Sequence, residues 1–202
     1  RKSNIVRNTK ETQISLTLDL DGRSRRKVQT GIGFFDHMLD LLAAHGYFDL
    51  ELMCQGDTQV DAHHTVEDVG LALGSAIKEA VGDKAGIRRY SSCFLPMDEA
   101  LVLVALDLSG RPYLRFDADL PPGMLVGTMD VQLFEEFFRA VAMQADLTLH
   151  IQVMAGKNLH HMVEAMCKGV GRALADAVQK DARVAGVPST KGVLYGRYSC
   201  GS

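Results

Sequence analysis

The chain has 202 residues, enough for one compact domain or two small fused units, and 47% apolar against 23% charged residues excludes a disordered chain. Its 22 Lys and Arg against 25 Asp and Glu leave a formal charge of −3, which excludes a sequence-blind nucleic-acid binder. No apolar run reaches the ~20 residues that cross a bilayer, no secretory pattern opens the sequence, and Cys54, Cys93, Cys167 and Cys200 lie far apart, so the expectation is a soluble, cytoplasmic protein with free thiols and no membrane or nucleic-acid partner.

In chain order, Ile14, Leu16, Leu18 and Leu20 alternate with polar neighbours, the period of a half-buried strand, and Asp21-Gly22 reads as a hairpin turn. Met38, Leu39, Leu42 and Ala43 have helical spacing and feed a second alternating run, Phe48, Leu50 and Leu52. Val66, Val69, Leu73, Ile77 and Val81 then mark a longer helix. The stretch from Asp83 to Pro96 reads as a hinge, after which the pattern begins again.

The chain contains itself twice. At an offset of 88, Glu11, Asp19, Gly22 and Arg23 fall on Glu99, Asp107, Gly110 and Arg111, and a strand over 102–106 matches the first. At an offset of 99, the first helix falls on Phe137, Phe138, Val141 and Ala142, followed by a strand carrying Leu147, Leu149 and Ile151. At an offset of 97, His63-His64-Thr65-Val66-Glu67 falls on His160-His161-Met162-Val163-Glu164, and the apolar stripe behind it recurs. Gly74 lands on Gly171, which predicts close backbone packing at both places. Pro121-Pro122-Gly123 lengthens the second copy, and Gly56-Asp57 sits in a longer loop of the first. The expected fold class is therefore α+β, a tandem duplication of a small sheet-plus-two-helices unit with helices on one face of each sheet. Each copy reads strand–strand–helix–strand–helix, over 11–84 and 99–182. The division expected is 1–98 for the first repeat, 99–194 for the second, and a polar tail at 195–202. The helical faces pack on each other or on a neighbouring subunit.

The repeated His-His-x-x-Glu words carry the chemistry. Glu67 reaches the same helix side as His63 or His64, but two adjacent His point about 100° apart, so one ion can hardly take both. Each pair is expected to feed two different metal ions, completed by the other repeat or another subunit. Azole plus carboxylate suits a borderline metal such as Mn, Fe, Co or Zn. His37 opens the first helix and its repeat partner is Glu136, so both positions hold a metal-competent side chain. Arg88-Arg89, Arg111, Lys168 and the loop Pro188-Ser189-Thr190-Lys191-Gly192 are candidates for a phosphate clamp. Lys168, four residues after Glu164, shares its helix face.

Phe34-Phe35-Asp36-His37-Met38-Leu39, the block from Asp61 to Asp68, its second copy from His160 to Ala165, and the Pro-Ser-Thr-Lys-Gly loop together resemble the imidazoleglycerol-phosphate dehydratase family over residues 7–194. The resemblance implies a manganese-dependent hydro-lyase of histidine biosynthesis that converts imidazole glycerol phosphate to imidazole acetol phosphate through a metal-bound imidazolate. It implies two Mn2+ per active site and a homo-oligomer of twenty-four subunits with metal sites at subunit interfaces. By matched position, one ion takes His37, His64, His160 and Glu164, and the other His63, Glu67, His161 and Glu136, where many relatives carry His. These side chains also contact substrate, apart from Glu136. Glu11 matches the acid/base carboxylate, and Glu164 and His64 are the other catalytic residues implied. Arg89, Arg111, Lys168, Ser189 and Lys191 match the phosphate-binding set, and His45 and Thr190 are implied substrate contacts. Two other readings of the same residues are a dimetal hydrolase of a small phosphorylated substrate and an assembly in which the ions are architectural.

Overall fold

A computed structural model describes residues 1–194; the tail at 195–202 lies outside the described residues. The first layer consists of β1 (Lys2–Asn8), β2 (Thr12–Asp19), β3 (Arg26–Gln29), α1 (Gly33–Gly46), β4 (Asp49–Gly56) and α2 (His63–Val81). The second repeats it as β5 (Tyr90–Met97), β6 (Ala100–Asp107), β7 (Tyr113–Asp117), α3 (Leu133–Gln144), β10 (Thr148–Ala155) and α4 (Leu159–Ala177). A small hairpin, β8 (Leu125–Val126) and β9 (Met129–Asp130), is inserted before α3, where the second copy is longer. The sheets share one strand order, β1-β2-β4-β3 and β5-β6-β10-β7, with only the β3–β4 and β7–β10 pairs parallel.

Alternation explains the sheets. Leu16 and Leu18 on β2 face Leu52 and Leu50 on β4, and Val104 and Leu106 on β6 face Ile151 and Leu149 on β10; all are buried. The helices cover the inner face of their own sheets and then pack on each other, α1 against α4 and α2 against α3, enclosing one continuous core. Both glycines singled out by the repeat sit at these crossings. A Cβ at Gly74 would lie 2.8 Å from the Val141 carbonyl oxygen, and one at Gly171 only 2.2 Å from that of Leu42. The α1–α4 seam is the tighter of the two.

Three sequence expectations change. β5 fills the second half of the stretch read as a hinge and pairs with β6, so the second sheet begins before residue 99 and the 98/99 division cuts through it. Each copy consequently has one more strand than expected, β1 and β5, outside the spans 11–84 and 99–182. Asp21-Gly22 closes no hairpin, because β2 pairs with β1 and β4 while β3 joins the far side of β4. Gly22 instead lets Asp49 approach: a Cβ there would lie 2.3 Å from the Asp49 nitrogen. Among the described residues, no helix is long and apolar enough to cross a membrane.

Candidate metal and substrate site

The His-His-x-x-Glu words occupy the first turns of α2 and α4, and at each start an Asx side chain accepts from leading amides, from the N-cap Asn158 in α4 and from Asp61, one residue before the cap, in α2. Asp61 Oδ1 accepts from the His63 amide at 2.8 Å, and its repeat counterpart Asn158 accepts from the His160 amide at 2.9 Å and from that of His161. The imidazoles are thereby left to other partners, and each adjacent pair diverges as expected: the two rings lie nearly perpendicular, at 86° for His63 and His64 and 87° for His160 and His161.

One arm of each word folds back on its own helix. His63 Nε2 lies 3.6 Å from Glu67 Oε2, and His160 Nε2 lies 3.1 Å from Glu164 Oε2. On the α1–α4 seam this arm meets His37, whose ring centroid is 6.0 Å from that of His160. One ligand atom from each of His37, His160 and Glu164 lies within 4.8 Å of the other two. Glu164 is buried, which by itself would raise its pKa; Lys168, which pairs with it directly, and then His160 outweigh burial and hold it below the ordinary carboxylate value. His45, farther along the seam, has its pKa lowered by burial and then by Lys168 and Arg172.

The other arm points elsewhere. His64 Nδ1 lies 3.0 Å from Asp57 Oδ2, and its Nε2 is 3.8 Å from Glu11 Oε1. His161 Nδ1 lies 2.8 Å from Glu99 Oε2. The carboxylates raise both imidazole pKa values, and Glu99 is itself lowered to about 2 by His161 and by the Asn158 and Lys157 amides. Within one chain, then, His64 does not join His37, His160 and Glu164. Nor do Glu136, His63 and Glu67 converge like their counterparts, since among the described residues the His37 group is the one set of three that does. Glu136 Oε2 instead lies 3.8 Å from Arg139 Nε. Asp57 and Glu99, not singled out in the sequence, are the carboxylates that fix these two rings. The equivalence of Glu11 and Glu99 was the available signal for the second.

The phosphate candidates divide. Arg89, Arg111, Ser189, Thr190 and Lys191 line one cleft of about 910 Å³. Arg89 is held in a left-handed conformation, φ +76°, with Nε donating to Asp107 at 2.7 Å and Nη1 to the Pro188 carbonyl at 2.8 Å. Ser189 Oγ accepts from the Lys191 amide at 3.2 Å, a turn that shapes the loop. Arg88 pairs instead with Asp176, and Lys168 with Glu164, so neither joins this clamp. The cleft is also remote from the histidine cluster. The Arg89 amide donates to the Ala177 carbonyl at the far end of α4, thirteen residues beyond Glu164, or roughly 20 Å at 1.5 Å per residue.

A family model described as imidazoleglycerol-phosphate dehydratase matches residues 30–174. The chain belongs to the imidazoleglycerol-phosphate dehydratase family. It is 59% identical, over 96% of its own length and 99% of the relative's, to the imidazoleglycerol-phosphate dehydratase of Acetivibrio thermocellus. It is 57% identical to that of Ruminiclostridium cellulolyticum over 96% of this chain and all of the relative. Its fold is similar to the crystal structure of the Staphylococcus aureus dehydratase, with TM-score 0.81 and 40% identity over 90% of this chain and 99% of that one. The Pyrococcus furiosus protein superposes equally well, at TM-score 0.81 and 36% identity, over 94% and 100% of the two chains. The duplicated α+β architecture expected from the sequence is the architecture of this family.

Proposed function

We propose that this chain dehydrates imidazole glycerol phosphate to imidazole acetol phosphate in the histidine pathway, using two manganese ions at sites that copies of the chain complete for one another. The convergence of His37, His160 and Glu164 in a member of this family carries the reading. Two azoles and an ionised carboxylate form a donor set that suits manganese. His37, His160 and Glu164 would hold one ion with His64 from a second copy; His63, Glu67, His161 and Glu136 would hold the other. When bound, a divalent cation supplies Lewis acidity towards the azole and a fixed point for the neighbouring hydroxyl.

The chain's own residues supply the rest. The atoms lost are the hydroxyl on the carbon next to the ring and the proton on the adjacent carbon, together one water. Glu11, exposed and 3.8 Å from His64, is placed to accept that C–H proton and to return one as the enol becomes the ketone. Arg89, anchored by Asp107, with Arg111 and the Ser189–Lys191 turn, receives the phosphate.

The separation of roughly 20 Å between cluster and cleft along α4 favours a site shared between copies, because one small phosphorylated ligand cannot span both ends of a single chain. A twenty-four-subunit particle is the proposed form, tested by sizing with and without chelator. A cytoplasmic setting is the proposed location, in keeping with the free thiols of Cys54, Cys93 and Cys167. Manganese-loaded protein incubated with imidazole glycerol phosphate is expected to yield an enolisable ketone. A Glu11→Gln variant is expected to fold and bind metal but turn over at least 100-fold more slowly, on the order of an acid–base contribution. Absence of ketone from loaded wild-type protein overturns the function.

A further inference from the structure

The two repeats differ sharply at one spot where β1 and β2 meet α2. In the first, Asp68 on α2 accepts from Arg7 Nε at 3.0 Å and Nη2 at 2.7 Å on one oxygen, and from the Thr12 hydroxyl on the other. The same three positions in the second repeat, by the offsets of 88 and 97, are Leu95, Ala100 and Ala165, all buried and apolar. The fold therefore closes over this spot without polar groups. Arg7 is partly exposed while Asp68 and Thr12 are buried, and neither surface nor interior ion pairs are in general more stabilising than well-packed apolar substitutes, so packing alone gives no reason for the Arg7–Asp68–Thr12 triad.

What the triad touches supplies one. Thr12 Oγ1 lies 3.2 Å from Thr9 Oγ1, which accepts from the amides of Glu11 at 3.1 Å and Thr12 at 2.9 Å. The Glu11 carbonyl accepts from the Asp57 amide at 3.0 Å, so both backbone groups of Glu11 are fixed. Its counterpart Glu99 is held differently: its own carboxylate accepts from the Lys157 amide at 3.2 Å and the Asn158 amide at 2.8 Å, and contacts His161. A carboxylate bound down in this way is not available to carry protons. One that stays available needs its position set through the backbone.

We propose that Arg7, Thr12 and Asp68 are positioning residues for Glu11, holding the turn at 8–12 so that its carboxylate stays placed while making few bonds of its own. This rests on the acid/base role of Glu11 given above, and the test separates the two.

The variant Arg7→Leu/Thr12→Ala/Asp68→Ala copies the second repeat. It is expected to keep manganese content, particle size and KM, to lose about 10–100-fold in kcat, and to show faster hydrogen exchange at the Glu11 and Thr12 amides. Unchanged kcat overturns the proposal. Should the triple variant fail to fold, Thr12→Val decides: it removes only the hydroxyl, and about a tenfold loss in kcat that Thr12→Ser recovers supports the proposal, whereas a wild-type rate for Thr12→Val overturns it. Glu11→Gln is run alongside. If that variant is inactive while the triple variant turns over normally, positioning alone fails; if it is fully active, the role of Glu11 falls and the proposal with it.

Discussion

Substituting Gly171 by Ala tests whether the α1–α4 seam is what brings the histidine cluster together. The new Cβ would sit 2.2 Å from the Leu42 carbonyl oxygen and 3.1 Å from the Gly46 nitrogen, both backbone atoms that no rotamer change can move. Ordinary contact requires roughly 1 Å more, so the helices must part by about that much. Overpacking of this kind costs about 1–3 kcal/mol, which for a chain of this size lowers Tm by about 2–12 °C. His37 rides on α1 and His160 and Glu164 on α4, while metal–ligand distances tolerate only about 0.2 Å. The variant should therefore bind manganese at least tenfold more weakly at one of two sites, read by titration calorimetry, besides melting earlier in chelator. Gly33→Ala is the control: its Cβ meets nothing within 4 Å, and loss of unfolded-state entropy should raise stability by about 0.4–1 kcal/mol. Unchanged Tm and manganese affinity in Gly171→Ala would refute the coupling of seam and site.

Glu164→Gln keeps the shape but leaves Lys168 without its anion; metal analysis should find about one ion fewer per chain, and full occupancy would remove Glu164 from the ligand set. Arg89→Lys cannot reproduce the paired contacts to Asp107 and the Pro188 carbonyl, so KM should rise about tenfold with manganese content unchanged; an unaltered KM would exclude the cleft as the phosphate site. Glu99 has a folded pKa of about 2 against 4.5, so its contribution is complete above about pH 4.5 and is lost as the pH falls through about 2. His161 is raised from 6.5, so its share is complete below pH 6.5 and lost as the pH rises through its folded value. Hydrogen exchange at Lys157–His161 in metal-free protein should be slowest between these limits, and a flat profile would contradict the pairing. Glu136→His exchanges a carboxylate for an azole that protonates roughly two pH units higher, so one of the two ions should dissociate at correspondingly higher pH; identical release curves would place Glu136 outside the ligand set.

The duplication was legible because each copy buries its side chains from regular patterns: alternation on β2 and β6, and stripes on α2 and α4. β1 escaped because its inward positions are Ser3, Ile5 and Arg7, two of them polar. Ser3 donates to the Ala76 carbonyl at 2.9 Å and Arg7 pairs with Asp68, so burial is satisfied by partners on α2 rather than by apolar alternation. β5 escaped for a similar reason: Leu95 is its one fully buried residue, and Pro96 and Arg88-Arg89 imitate a connector. At the site, His63, His64, Glu67 and their copies were legible because local spacing fixes a face of a helix. Their partners were not. Glu99 reaches His161 across sixty-two positions, and Arg89 meets Pro188 across ninety-nine, separations that only the folded sheets close.

The same backbone, used twice, puts different chemistry at equivalent ends. Glu11 and Glu99 stand before β2 and β6, and each faces the second His of its own word. In the second repeat the short connection between β10 and α4 delivers the Lys157 and Asn158 amides directly to Glu99. In the first, the longer connection between β4 and α2 carries Asp57, which takes over the His64 ring and leaves Glu11 with a longer contact of 3.8 Å. The two extra loop residues of the first repeat thus accompany the difference between a carboxylate that is bound down and one that keeps its oxygens available. The seams differ too: the close α1–α4 approach at Gly171 accompanies the convergent cluster, whereas on α3 Glu136 lies beside Arg139 of its own helix. The His37–His160–Glu164 group and the cleft lined by Arg89 and Arg111 draw on both repeats, and along α4 they lie at opposite ends.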